Sequence, residues 1–126
     1  MDIFGIGTDI VDISRIKKLL NNKKFINKVF AINEIKYCES KSNKIAYYSK
    51  RFAAKEAFAK SLGTGISKGI LFNEISIINN KNGAPSIKLL GKTKIITKSI
   101  IKKKNKIYLS LSDEKKYASA MVVISC

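Results

Sequence analysis

Hydrophobic and polar positions change period several times along this 126-residue chain, and each change predicts an element. From Ile3 to Val11 the alternation has period two, which predicts a strand. Phe4, Ile6, Thr8 and Ile10 fall on one side of it, and Gly5, Gly7, Asp9 and Val11 on the other. Asp9 therefore shares a side with two positions that carry no side chain. Asp12 or Ser14 suits the N-cap of a short amphipathic helix through Arg15, Ile16, Leu19 and Leu20, which gives way at Asn21 and Asn22. A second helical piece, Lys23 to Phe30, gathers Phe25, Ile26, Val29 and Phe30 on one side. Asn33 is expected to cap a third, from Glu34 to about Ser40, before a polar loop at Lys41 to Asn43.

A long helix is predicted from about Ile45 to Leu62. At 100° per residue it sets Phe52, Ala53, Glu56, Ala59 and Lys60 on one face, with Arg51, Ala54, Phe58 and Leu62 largely opposite. Gly63, Thr64, Gly65, Ser67 and Gly69 then make a backbone-rich loop. Two strands, Glu74 to Ile78 and Ser86 to Leu90, flank the turn-forming run Asn79 to Pro85. Gly91 to Lys104 reads as a basic amphipathic helix, and Ile107 to Ser112 with Tyr117 to Ile124 as a hairpin. No repeat, linker or composition break divides the chain. The expectation is one α+β domain over residues 1–126, with an antiparallel sheet and a long central helix.

Composition narrows the chemistry. No run approaches the roughly 20 apolar residues of a membrane span, and the first residues lack an export signal, so a soluble cytoplasmic protein is expected. Cys38 and Cys126 lie far apart and form no CxxC, which suggests neither zinc nor a disulfide framework. With no histidine, Ser-His and Cys-His nucleophile systems and His-ligated zinc are excluded, so a metal must be held by oxygen. The net charge of +16 suggests an acidic partner. Only Arg15 and Arg51 are arginine, however, and the abundant lysine, isoleucine and asparagine are what an AT-rich genome encodes by default.

Two carboxylates stand in unusual surroundings. Glu56 sits among small and apolar helix neighbours, where ionisation is costly unless something satisfies it. Lys60 at i+4 and a bound cation are both candidates; the plain alternative is a helix with one ion pair, ended by Gly63. Asp9 lies in an otherwise apolar strand, and a cap at a strand end is its plain alternative. Taken together, two sparsely solvated carboxylates and a glycine loop describe a site for Mg²⁺, which prefers oxygen ligands and is completed by water and substrate phosphates. Amide groups around Gly63, Gly65 and Gly69 and the ammonium of Lys60 suit those phosphates.

GIGTDIVDISRI at 5–16, RFAAKEAFAKSLGTGI at 51–66, NGAPSI at 82–87 and SLSDEKKYASAMVV at 110–123 resemble the successive motifs of holo-acyl-carrier-protein synthase, a small bacterial phosphopantetheinyl transferase. The resemblance implies a 4′-phosphopantetheinyl transferase-like fold, a homotrimer with active sites between subunits, and a Mg²⁺-dependent reaction. In that reaction a serine of the acyl carrier protein attacks the β-phosphorus of coenzyme A, and adenosine 3′,5′-bisphosphate leaves. By the same resemblance Asp9 and Glu56 are metal ligands and Lys60 binds phosphate. Gly63, Thr64, Gly65, Ser110, Ser112 and Asp113 fall at the coenzyme A site. Glu56 itself or a metal-bound water would take the serine proton. Arg15, Lys24 and Lys28 would meet the acidic carrier protein, Arg15 through the bidentate contacts that arginine makes with carboxylates. One departure stands out: Asp113 replaces a histidine of the family, and a negative charge there repels phosphate unless it reaches the metal or turns to solvent. Replacing Asp113 by histidine is accordingly expected to raise catalytic efficiency.

Two other readings compete. A basic nucleic-acid-binding protein would suit the charge and Lys102 to Lys104, but the chain has no aromatic ladder, RNA-binding signature or helix-turn-helix pattern. A non-catalytic scaffold on the same fold would follow if Asp113 disabled the site.

Overall fold

Gly5 and Gly7 decide how the two longest elements meet. The computed structural model describes residues 1–63 and 68–126. In it the first strand, β1 (Ile3–Asp12), turns Gly5, Gly7, Asp9 and Val11 inward. Against them lies the long helix, counted fourth along the chain as α4 (Lys44–Ser61). A Cβ on Gly5 would overlap the carbonyl oxygen of Ser61, and one on Gly7 that of Ala57. The missing side chains let helix backbone rest directly on strand backbone.

Between these two come three short helices, α1 (Ile13–Leu19), α2 (Lys23–Val29) and α3 (Ile32–Glu39). After α4, a 3₁₀ turn at Phe72–Glu74 leads into a hairpin of β2 (Ile75–Asn79) and β3 (Pro85–Leu89). The chain closes with α5 (Gly91–Ile101), β4 (Lys106–Asp113) and β5 (Tyr117–Ser125). Two antiparallel sheets result: β1-β5-β4, with β5 central, and the β2-β3 hairpin, whose β3 lies against β4. The fold is α+β, as the alternation of periods predicts.

The α4 side of the large sheet forms the core, where Val11, Ala118, Ala120, Val122 and Ile124 meet Phe52, Ala53, Ala57 and Phe58. Its other side is open, exposing Phe4, Ile6, Ile10, Tyr108, Tyr117 and Met121.

Two boundaries differ from expectation by more than one residue. α3 begins earlier than the pattern suggests, with Ala31 rather than Asn33 at its N-cap. Glu34 explains this, because its carboxylate accepts the Ala31 amide at 2.9 Å from the third helical position, doing from inside the helix what a capping side chain does. Asn33 is left to exchange hydrogen bonds with Ser76 on β2. α5 stops at Ile101 because Lys102 adopts a left-handed conformation, φ 62°, and closes the helix without a glycine.

Candidate active site

β1 and α4 bring Asp9, Glu56 and Lys60 together. Asp9 follows the two glycines on the inward side of β1, so the helix that they admit delivers its last two turns beside the carboxylate. Lys60 Nζ donates to Asp9 Oδ1 at 3.0 Å and to the Thr8 carbonyl at 3.0 Å. This corrects the simplest reading of the helix, in which Lys60 is the i+4 partner of Glu56. Its ammonium reaches across to the strand instead, and no described residue donates a hydrogen bond to Glu56.

Glu56 is therefore a half-buried carboxylate with charged neighbours and no donor among the described residues. Burial lifts its carboxyl above the ordinary glutamate range, and the charge of Asp9 lifts it further. Lys60 and Arg15 pull the other way. Arg15, on exposed α1, is thus close enough to act on Glu56 electrostatically, a nearness that sequence spacing did not reveal.

The donor set fits Mg²⁺. Among the described residues no group of three or more His, Cys, Asp or Glu gathers anywhere, so a fully protein-ligated centre is not built there. Two carboxylates with open surroundings match an ion that keeps several waters and takes phosphate oxygens from its substrate. Lys60 occupies one oxygen of Asp9 and leaves its own side chain 55% exposed, within reach of an anion at the same place.

Other expected site residues lie elsewhere in the chain. Sheet register sets Ser110 opposite Met121 and Ser112 opposite Ser119, in rows completed by Thr8 and Ile10. Those rows face away from α4. Within one chain, Ser110 and Ser112 are on the other side of the sheet from Asp9 and Glu56. Asp113 is in the row of Val11 and faces α4, where its carboxylate meets Lys50 Nζ at 3.2 Å. Its carboxylate, still 31% exposed, pairs with a lysine of the long helix, which the sequence reading did not consider. Ser112 and Asp113 also line a cavity of about 200 Å³ with Ile10, Tyr117 and Ser119.

Gly63 follows α4 in a left-handed conformation, φ 78°, with open space around its Cα. Thr64 and Gly65, expected at the phosphates, lie outside the described residues. Lys24 and Lys28 stand exposed one turn apart on α2, free of salt bridges to described residues.

Comparison with known proteins adds a consistent picture. Residues 5–122 match the profile of the 4′-phosphopantetheinyl transferase superfamily. The chain is 47% identical over 129 residues to a holo-[acyl-carrier-protein] synthase of Pelagibacter ubique, covering 98% of each. It is 48% identical over 127 residues to the enzyme of that name from a Wolbachia of Culex pipiens, covering 97% of each. Among solved structures, the holo-[acyl-carrier-protein] synthase of Neisseria meningitidis superposes with a TM-score of 0.87 at 34% identity, over 98% of this chain and 99% of that one. The Bacillus anthracis counterpart, solved in complex with CoA (3′,5′-ADP), superposes with a TM-score of 0.80 at 32% identity, over 98% and 97%.

Proposed function

This chain belongs to the 4′-phosphopantetheinyl transferase superfamily, and on that premise we propose that it is a holo-acyl-carrier-protein synthase, moving 4′-phosphopantetheine from coenzyme A to a serine of apo acyl carrier protein. The reaction in this reading depends on Mg²⁺ and releases adenosine 3′,5′-bisphosphate. Its chief support is the meeting of Asp9, Glu56 and Lys60 across the β1–α4 contact.

Asp9 and Glu56 would hold Mg²⁺, whose contribution when bound is to polarise the diphosphate and offset charge on the leaving phosphate. Lys60, anchored at 3.0 Å by Asp9 and by the Thr8 carbonyl, keeps its ammonium beside the carboxylates and neutralises the transferring phosphoryl group. Glu56, its carboxyl lifted by burial and by Asp9, is the group we assign to take the serine proton. Gly63, Thr64 and Gly65 let the phosphates approach backbone amides. Arg15, Lys24 and Lys28 offer exposed positive charge to an acidic carrier protein, and Arg15 joins that surface to the site through its influence on Glu56.

Ser110 and Ser112 complete the reading only if copies of the chain combine. The open side of β1-β5-β4, apolar at Phe4, Ile6, Ile10, Tyr108, Tyr117 and Met121, supports a homotrimer packed through that face. The coenzyme A site then forms between neighbours, with the α4 side contributed by one and the serine side by the next. Among the described residues no helix is long and apolar enough to cross a membrane, which suits a reaction between two dissolved substrates in the cytoplasm.

The direct test is mass spectrometry of apo carrier protein incubated with this protein, coenzyme A and Mg²⁺. Gain of one phosphopantetheine group is expected, and no gain at any Mg²⁺ concentration overturns the reading. Sedimentation should show three chains together, and Met121→Glu should separate them and abolish transfer.

A further inference from the structure

Lysine and carboxylate are not mixed evenly along the chain. Residues 75–112 hold nine lysines and no Asp or Glu, although the whole chain has nine acidic residues. An AT-rich genome would scatter lysine but would not clear one stretch of acids. All nine lysines are exposed, and none forms a salt bridge with a described residue. The carboxylate just before the stretch, Glu74, is engaged with the Thr93 amide and hydroxyl at the start of α5.

Most of these lysines gather on α5 and just beyond it. The inward face of α5 carries Thr93, Thr97 and Ile101, all buried, and Ile96 and Ile100 pack against the same core. At 100° per residue, Ile95, Lys98 and Lys102 fall on the opposite side. Ile95 is 69% exposed there, an apolar side chain set among charges. Because Ile101 joins the core on the α4 side of the large sheet, this face is separate from the apolar sheet face proposed for assembly.

Beside it runs a groove of about 300 Å³ between β3, α5 and β4. Half-buried Ile87, Leu89 and Ile107 form its floor, and exposed Lys88, Lys94 and Lys98 its rim. Past Lys98 and Asn105 lies a second cavity, about 340 Å³, edged by Lys102, Lys103 and Lys104.

Charge alone suits any polyanion. The apolar groups choose among them. A hydrocarbon floor under a lysine rim matches an amphiphile, whose acid group and hydrocarbon are neighbours, and Ile95 offers a second apolar contact at the centre of the charge. A nucleic acid backbone has no use for either. Among the described residues no aromatic side chain lines the two cavities, so bases find no stacking platform.

We propose that the outer face of α5 and its groove dock this protein on the surface of an anionic lipid bilayer, with headgroup phosphates on the lysines and Ile95 entering the interface. A cluster of about 4–8 lysines on an amphipathic helix is what an anionic leaflet attracts. Reversible docking takes two signals, and a basic patch with an apolar contact supplies both. The docking needs no membrane span and does not rest on the proposed transfer, whose residues stand on β1 and α4.

Flotation of the full chain with vesicles tests it. Binding is expected to vesicles of phosphatidylglycerol mixed with phosphatidylcholine, weakening as salt is added, and not to phosphatidylcholine alone. Each lysine lost should weaken binding about fivefold, so Lys94→Ala/Lys98→Ala/Lys103→Ala should lose about a hundredfold. These side chains make no hydrogen bonds to described residues, and the variant should melt as wild type does. Ile95→Ser should weaken vesicle binding severalfold while leaving any binding to a DNA or RNA oligonucleotide unchanged. Failure to bind the anionic vesicles overturns the proposal, as does full vesicle binding by the triple variant. So does an oligonucleotide held more tightly than vesicles, which would assign the face to nucleic acid. Binding of short-chain phosphatidylglycerol as a dissolved monomer without binding to vesicles would make the groove a small-molecule site and overturn the bilayer as its partner.

Discussion

Lys55 and Lys60 sit five positions apart on the same helix, each paired with a carboxylate, and the two pairs are opposites. Lys55 and Glu34 are both 0% exposed and 2.6 Å apart. Every hydrogen of the Lys55 ammonium has an acceptor: Glu34 Oε1, the Phe72 carbonyl at 2.9 Å and the Ile75 carbonyl. Glu34 in turn accepts the amides of Ala31 and Ile77 at 2.9 and 3.1 Å. This closed network ties α3, α4, the 3₁₀ turn and β2 together, and it has no capacity left for a ligand. Lys60 makes two contacts, stays 55% exposed, and stands beside a second carboxylate that no described residue satisfies. What separates scaffold from chemistry on α4 is how far each charge is already satisfied, not which residues carry it.

The largest effect that tests this contrast is expected at Glu56. Glu56→Ala should reduce transfer by about 10²–10³-fold or more, the scale on which a preorganised charged group acts in catalysis, while the protein stays folded. Stability should rise slightly at neutral pH. The carboxyl is held above its usual range, so Glu56 contributes stability below the ordinary glutamate pKa and loses that contribution as pH rises through its folded value. Thermal melts of the variant should therefore exceed wild type near pH 7 and lose the advantage in acid. Full activity of Glu56→Ala would remove Glu56 from the mechanism.

Lys55→Met asks the converse question. It strands Glu34 as a buried, unpaired charge and should cost about 3–5 kcal/mol of stability. Burial holds the Lys55 ammonium down to about 8 against the pull of Glu34, so this pair contributes through completeness of bonding more than through raw charge. In the double variant with Glu34→Gln the loss should fall well short of the sum of the single losses, because the two side chains act as one unit. Whatever fraction remains folded at low temperature should transfer at the wild-type rate. A loss of turnover without a loss of melting temperature would break the distinction between the two lysines.

Lys60→Ala should show the reverse: transfer down about 10²-fold, as expected for one donor at developing charge, with less than about 1 kcal/mol of stability lost because the ammonium is 55% exposed. Denaturant unfolding and steady-state kinetics on the same preparation would expose any mixture of the two roles.

How much of this contrast could be read in the sequence depends on the range of the contacts. The Asp9 and Glu56 sides of β1 and α4 follow from local periodicity, since period two and period 3.6 fix which residues share a face. The partners do not. Lys60 finds Asp9 rather than the i+4 Glu56 because Gly5 and Gly7 bring the helix down onto the strand, a fact of tertiary packing. Lys50 finds Asp113 at the end of β4, on the side of the sheet that faces α4, and nothing near either residue announces it. Asn33 looks like a cap and is not one, because Glu34 satisfies the Ala31 amide first. Alternation along β4 does put Ser110 and Ser112 on the side opposite Leu109 and Leu111. That this side faces away from α4 required the register with β5.

The smallest expected effect is at a third pair, Lys44 with Glu39, 3.1 Å apart and 49% and 45% exposed. It resembles Lys60–Asp9 in distance and in the exposure of its lysine, although Asp9 is only 15% exposed, and it lacks a neighbouring unsatisfied carboxylate. Glu39 also accepts the Tyr48 hydroxyl at 2.8 Å, so removing Lys44 leaves it with a partner and with water. Lys44→Ala should therefore change stability by less than about 0.5 kcal/mol, most of that difference disappearing in high salt, and should leave transfer untouched. The comparison with Lys60→Ala is the informative one, because two exposed lysines on one helix would then differ in catalysis and agree in stability. If Lys44→Ala cost as much stability as Lys55→Met, exposure would not be the variable that ranks these lysines. If it slowed transfer as Lys60→Ala does, the chemistry of α4 would extend over the whole helix and would not be confined to its last two turns.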